Sequence, residues 1–156
     1  MKKFELTSET KINIFGKKLF RIKALISFGD VEAGETGGWV EKEGNVNQSG
    51  DAWVSGDAEV FGNAMVSGDA EVSGDARVFG NAMVSGNADY TTIHGFGTQF
   101  RTTTFFRCKD KKVRVACGCF FGTIPEFREQ VKNTRKGKIA EEYLMIADLM
   151  EKHFEK

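Results

Sequence analysis

Residues 54–89 read VSGDAE VFGNAM VSGDAE VSGDAR VFGNAM VSGNAD, a six-residue unit with Val first, Gly third, Asp or Asn fourth and Ala fifth. A repeat of this kind decides the architecture before any local propensity does. Glycine keeps its place at Gly38, Gly44, Gly50, Gly56, Gly62, Gly68, Gly74, Gly80 and Gly86, so the register holds for nine units from Thr36. Within a unit Ala and Val alternate with polar residues, the two-residue period of a strand, and Gly-Asp or Gly-Asn supplies the turn. The outward positions set the number of units per coil: VFGNAMVSGDAE at 60–71 recurs as VFGNAMVSGNAD at 78–89, eighteen residues on. Three units per coil are therefore expected rather than two, and three coils across residues 36–89. Small inward Ala and Val side chains would fill such a prism and leave its interior no space for a ligand.

The same alternation assigns outward faces. One of them sets Glu59 below Arg77 and Phe61 below Phe79. A surface ladder of aromatic rings calls for burial against something else. Phe61, Arg77 and Phe79 are therefore expected to form a face that packs against a cap or another subunit.

On either side of the repeat the pattern changes. Residues 1–35 carry two alternating stretches, KFELTSET and LFRIKALISF, around a turn near Asn13 to Lys18, which predicts a β cap over the first coil. After Asp89 the glycine register stops, and residues 90–156 predict an α+β segment. TTTFFRC and KVRVACG are its strands, joined by the charged turn KDKK. Thr123-Ile124-Pro125-Glu126 carries a hydroxyl cap, Glu three residues on and Pro in the first turn, the signature of a helix start. That helix is expected to stop at Gly137. A second, over about Ile139 to Phe154, sets Ile139, Tyr143, Ala147, Met150 and Phe154 on one apolar stripe that reads as core.

Lys and Arg equal Asp and Glu at 22 each, but the charge is segregated: +4 over residues 1–30, −9 over 31–90 and +5 over 91–156. Zero net charge argues against bulk nucleic-acid binding. No run of apolar residues is long enough to span a membrane and the first residues lack the apolar core of a secretion signal, so a soluble, cytoplasmic protein is expected. Cys108, Cys117 and Cys119 are an odd, crowded set read as reduced thiols.

The chain also carries a resemblance. Its G-[DN]-A-x-V units resemble those of the hexapeptide-repeat superfamily of left-handed parallel β-helices. LFRIKALISFGDV at 19–31, GETGGWVE at 34–41, TTTFF at 102–106 and CGCFFGT at 117–123 look like stretches of repeat proteins encoded by bacteriophages and prophages. The resemblance implies a mainly β fold, a short left-handed parallel β-helix of about three coils with an N-terminal β cap and a C-terminal α+β segment. It further implies a homo-oligomer, a trimer by preference, and an accessory role inside the host cell, but it carries no established activity.

Several activities are weighed against these residues. Acyltransferases with this repeat use a histidine base, yet the nine units contain none and only His94 lies nearby. A zinc hydratase needs three histidines where the chain has two. Cys108, Cys117, Cys119 and His94 offer zinc-type donors, but Cys-Gly-Cys places one residue between ligands where structural sites use two or more. Neither a metal nor a cofactor is expected. The join after the last coil holds the remaining chemistry: His94, Arg101, Thr102, Thr103 and Thr104 in HGFGTQFRTTTFF, and Gly118, Phe121, Gly122 and Thr123 in CGCFFGT. Arginine, hydroxyls and the free N–H groups of a helix start suit a phosphate, and Phe106 and Phe121, with Phe105 and Phe120, offer rings for a base. The expectation is a non-enzymatic phage accessory protein that counters host defence by sequestering a nucleotide immune signal or a defence protein. An acyltransferase and a purely structural oligomerisation module are the alternatives.

Overall fold

The computed structural model describes residues 2–155. Alternating apolar residues build the N-terminal hairpin of β1 (Phe4–Ile12) and β2 (Lys18–Ala24), which pair antiparallel and place Phe4, Leu19 and Ile22 in the core. Asn13 fixes its turn, its Oδ1 accepting from the N–H groups of Phe15 at 3.0 Å and Lys17 at 2.9 Å. β3 (Thr36–Val40) continues that sheet antiparallel to β2.

Six two-residue strands follow at six-residue spacing: β4 (Trp53–Val54), β5 (Glu59–Val60), β6 (Met65–Val66), β7 (Glu71–Val72), β8 (Arg77–Val78) and β9 (Met83–Val84). β4 pairs with β7, β5 with β8 and β6 with β9, each in parallel and each eighteen residues apart. The Val of every one of these strands, and Ala52, Ala58, Ala64, Ala70, Ala76 and Ala82, are buried.

The expected fold class is nonetheless corrected. The strands do not form one short left-handed parallel β-helix; they fall into four separate small sheets, two of them containing antiparallel pairs, and the architecture is mixed though mainly β. The reason lies in the repeat itself. Between Trp53 and Val84 each face recurs only once, eighteen residues on, so β4–β7 and β6–β9 have no third strand and remain two-stranded ribbons. The longer strands belong to the ends: β5 and β8 join, through β3, a five-stranded sheet in the order β1-β2-β3-β5-β8.

Parallel pairing also gives the repeat region a polarity. N–H groups donate to carbonyls seventeen residues further along, as from Trp53 to Ala70 (3.1 Å) and from Glu59 to Ala76 (2.9 Å). Carbonyls are therefore left over on the side of the first units and N–H groups on the side of the last, and buried backbone groups without partners are costly. Donor side chains cover the first set. Lys3 Nζ reaches the Ala52 carbonyl at 2.6 Å, Asn45 Nδ2 that of Ala64 at 2.9 Å, and Arg21 Nη1 that of Gly56 at 3.1 Å. Acceptors cover the second: Asn87 Oδ1 takes the Glu71 N–H at 2.8 Å, Thr104 Oγ1 that of Arg77 at 3.0 Å, and Asp89 Oδ2 that of Ser85 at 3.0 Å.

The C-terminal sheet, antiparallel and in sequence order, consists of β10 (Tyr90–Phe96), β11 (Arg101–Arg107), β12 (Val113–Cys117) and β13 (Phe120–Thr123). One face, with Phe106 and Ala116, packs on the repeat core; the other, with Phe105 and Val115, packs on α1 (Ile124–Thr134) and α2 (Gly137–His153). The apolar stripe on α2 is core as expected, with Tyr143, Ala147, Met150 and Phe154 buried. Gly137, expected to end the first helix, instead opens the second.

Phe61 and Phe79 stack as the eighteen-residue spacing requires, at 4.7 Å between centroids and 5° between planes. They are not on the surface, being 3% and 9% exposed. Phe15 of the hairpin turn covers them from one side and Phe106 and Phe121 meet Phe79 from the other. Burial of this ladder is complete within one chain.

Candidate functional site

β11 begins where the glycine-rich turn after β10 ends, and this places Arg101 beside the β12–β13 turn. Gly118 in that turn has φ +58°, and Arg101 Nη1 lies where a Cβ on Gly118 would stand. The absence of a side chain there leaves room for the guanidinium. Its other terminal nitrogen, Nη2, donates to the neutral amide oxygen of Gln99 at 2.8 Å, its one side-chain hydrogen bond among the described residues. Arg101 therefore reaches a half-buried position, and among the described residues it forms no salt bridge, although Asp75 lines the recess beside it.

Two recesses share Arg101 in their walls. The first, of about 210 Å³, lies between the sheet and the helices. Its walls include the rings of Phe120, Phe127 and Tyr143, and Arg135, just past the end of α1, stands over the Tyr143 ring at 5.9 Å. Burial, then the nearby Cys117, raises the Tyr143 pKa, so its hydroxyl keeps its proton. The second recess, of about 350 Å³, is formed by all three parts of the chain: Ile14 from the hairpin, Asp75 and Arg77 from the repeats, and His94, Gln99 and Thr102 from the C-terminal sheet. His94 and Thr102 face each other across β10 and β11, with Nδ1 and Oγ1 2.8 Å apart. Cys119, an exposed thiol, borders both recesses.

Of the residues picked from sequence, His94, Arg101, Thr102 and Gly118 come together here. Others are placed elsewhere. Thr103 and Thr104 are each 1% exposed. The Thr103 hydroxyl donates to Cys117 Sγ at 3.3 Å and that of Thr104 accepts from the Arg77 N–H. Phe106 is core, and Phe121, though partly exposed, packs on Phe79 and over Gly80. Gly122 is hemmed in by Phe120 and Glu126. Thr123 caps α1: its Oγ1 accepts from the Glu126 N–H at 3.2 Å, while Glu126 Oε1 accepts from the Thr123 N–H at 2.8 Å. Those bonds hold the Glu126 carboxyl below its ordinary pKa and occupy the helix end expected to hold a phosphate. Arg77 is at the rim of the second recess, with Nε 3.7 Å from Glu59.

The cysteines do not converge. Cys108 is buried against the repeat core, where desolvation pushes its thiol up to about 11, and Cys117 belongs to the helix-side core. Among the described residues no three His, Cys, Asp or Glu side chains form a metal-binding group, and no helix is long and apolar enough to cross a membrane.

Sequence reasoning missed Arg135 as a site residue and took Tyr143 for core alone. Phe100, between Gln99 and Arg101, lines neither recess but is 65% exposed with φ +51°. A bulky residue in the left-handed region is strained, and such strain collects at ligand-contacting segments. No known protein family and no curated protein matches the sequence.

Proposed function

We propose that the chain is a non-enzymatic binding protein that takes a nucleotide-type, phosphate-bearing ligand at Arg101. The observation that carries this reading is the pair Arg101 and Arg135, two half-buried guanidinium groups at the edge of a recess walled by Phe120, Phe127 and Tyr143. A guanidinium without a carboxylate partner is an anion receptor, and phosphate oxygens match its planar fork. Of the three rings, Phe127 and Tyr143 are buried and Phe120 alone is partly exposed to offer a surface for a base. The hairpin and repeats act as the scaffold that holds β11 in place, through the Phe79–Phe106 contact and the Arg77–Thr104 bond.

In biological terms the reading is a phage accessory protein that counters host defence by sequestering a nucleotide signal, a step that rests on the resemblance of the end motifs. Native mass spectrometry of the purified protein, as isolated and after titration with nucleotides and ADP-ribose, tests it. A bound or titratable nucleotide supports sequestration. Absence of binding across the panel, with a host defence protein recovered by pull-down, supports blocking of a protein instead.

A further inference from the structure

One side of α2 carries a short apolar stripe that the described residues leave open to solvent. Met145 and Leu149, four residues apart on the helix, are 69% and 57% exposed. With the half-buried Phe96 at the end of β10 and the edge of Ile146, they line an open groove of about 480 Å³. The core needs none of this stripe, because α2 packs inward through Tyr143, Ile146, Ala147 and Met150. A contiguous exposed apolar surface marks an interaction site.

The charges that end the stripe say what covers it. Glu142, Met145, Leu149 and Lys152 follow one another at spacings of three, four and three residues, the seam of a heptad with a charge at each end. Met145 and Leu149 stand two residues on either side of Ala147, and Glu142 and Lys152 stand five residues on either side of it. A second α2 laid antiparallel about a two-fold axis level with Ala147 sets Met145 on the partner's Leu149 and Glu142 on the partner's Lys152. Two-fold symmetry makes each contact twice. A parallel pair in register would instead set Glu142 on Glu142 and Lys152 on Lys152, like charge on like charge. Both charges are free to pair: Glu142 forms no salt bridge among the described residues, and Lys152 has only a 3.6 Å contact with the exposed Glu155. The same axis brings Asp148 near its own copy, but Arg128 Nη2 already holds Asp148 Oδ1 at 2.9 Å.

We propose that α2 is a self-pairing surface, docking antiparallel on α2 of a second copy of this chain through Met145 and Leu149 with Glu142 and Lys152 fixing the register. This two-fold dimer differs from the trimer that the repeat's resemblance implies, so stoichiometry separates the two.

Sedimentation equilibrium of the full chain between about 1 µM and 1 mM tests the proposal. The expected result is a monomer–dimer equilibrium with a dissociation constant of about 1–100 µM, since one helix pair lies at the small end of specific interfaces. Glu142→Lys and Lys152→Glu should each weaken self-association about tenfold or more. Mixing the two variants should restore pairing as a heterodimer, because one then presents only Lys at the stripe ends and the other only Glu. A parent chain that stays monomeric up to about 1 mM overturns the proposal and leaves the stripe to a different protein. An oligomer of any size that the charge variants leave unchanged overturns it too, as does a mixture of folded variants that fails to pair. Circular dichroism of each variant separates lost pairing from lost fold.

Discussion

Phe61 and Phe79 are stacked at 4.7 Å and the stack is closed at both sides by rings from the two ends of the chain, Phe15 before it and Phe106 and Phe121 after it. Hairpin, repeats and C-terminal sheet thus share one aromatic core. Truncating a buried Phe costs about 3–5 kcal/mol. Phe79→Ala is expected to lie in that range and Phe61→Ala near it, read as urea midpoints. Because the rings are covered by their own chain, the double Ser variant should leave the subunit number unchanged wherever it remains folded. Dissociation of an oligomer, measured by light scattering on folded material, would show that the ladder is also a subunit contact.

Asn45 bonds backbone groups of both polarities at the first units. Fully buried, it donates from Nδ2 to the Ala64 carbonyl at 2.9 Å and accepts at Oδ1 from the N–H of Lys42 at 2.9 Å and of Glu41 at 3.1 Å. Asn45→Ala leaves the Ala64 carbonyl and the Lys42 N–H without this partner, while the Glu41 N–H keeps the Val60 carbonyl at 3.2 Å, and should cost about 1–3 kcal/mol. A loss below about 0.5 kcal/mol in a chemical melt would mean that water replaces the amide and that side-chain covering of the ladder ends is not required.

Asp89 joins the last repeat to the C-terminal sheet, accepting from the Ser85 N–H and hydroxyl at 3.0 Å and from Arg107 Nε at 3.2 Å. Burial opposes its charge, but the Ser85 bonds and Arg107 together outweigh it and hold the pKa below the ordinary carboxylate value. With the folded pKa depressed, the folded state binds fewer protons than the unfolded chain. The stabilisation is therefore present above about pH 4 and is lost as pH falls through the folded value. Asp89→Asn should lower stability at neutral pH and flatten its decline between about pH 4 and 2. Parallel pH profiles for variant and parent would contradict this.

Phe100 holds φ +51° while 65% exposed, so it pays for its conformation without a packing return. Phe100→Gly removes a left-handed strain of about 1 kcal/mol. The melting temperature should rise or hold. A variant that is less stable would mark Phe100 as structural.

How much of this was legible in the sequence depends on the range of the contact. The eighteen-residue pairing of Glu59 with Arg77 and of Met65 with Met83, the inward Ala and Val, and the Thr123–Glu126 capping box are set by residues near in the repeat or the chain, and each could be read. The fold class could not. Spacing alone does not say that β5 and β8 will be drawn into the sheet of β1 and β2, because that depends on β3 linking Arg21 to Trp39 and Trp39 to Glu59. That Phe61 would be covered could be read, but not by what, since its partner Phe15 lies in the N-terminal turn. At the site, residue type pointed to Arg101 and His94 together. Alternation along β11 would have warned that a run of three threonines cannot all face one recess: Thr102 and Thr104 share a face and Thr103 lies on the other.

The most direct test of the central claim is the nucleotide affinity of Arg101→Gln against the parent chain, by calorimetry at fixed ionic strength. Removing a charged partner of a phosphate costs about 2–5 kcal/mol, so affinity should fall by about thirtyfold or more while circular dichroism and melting change little. Equal nucleotide affinity in the two proteins would contradict the account.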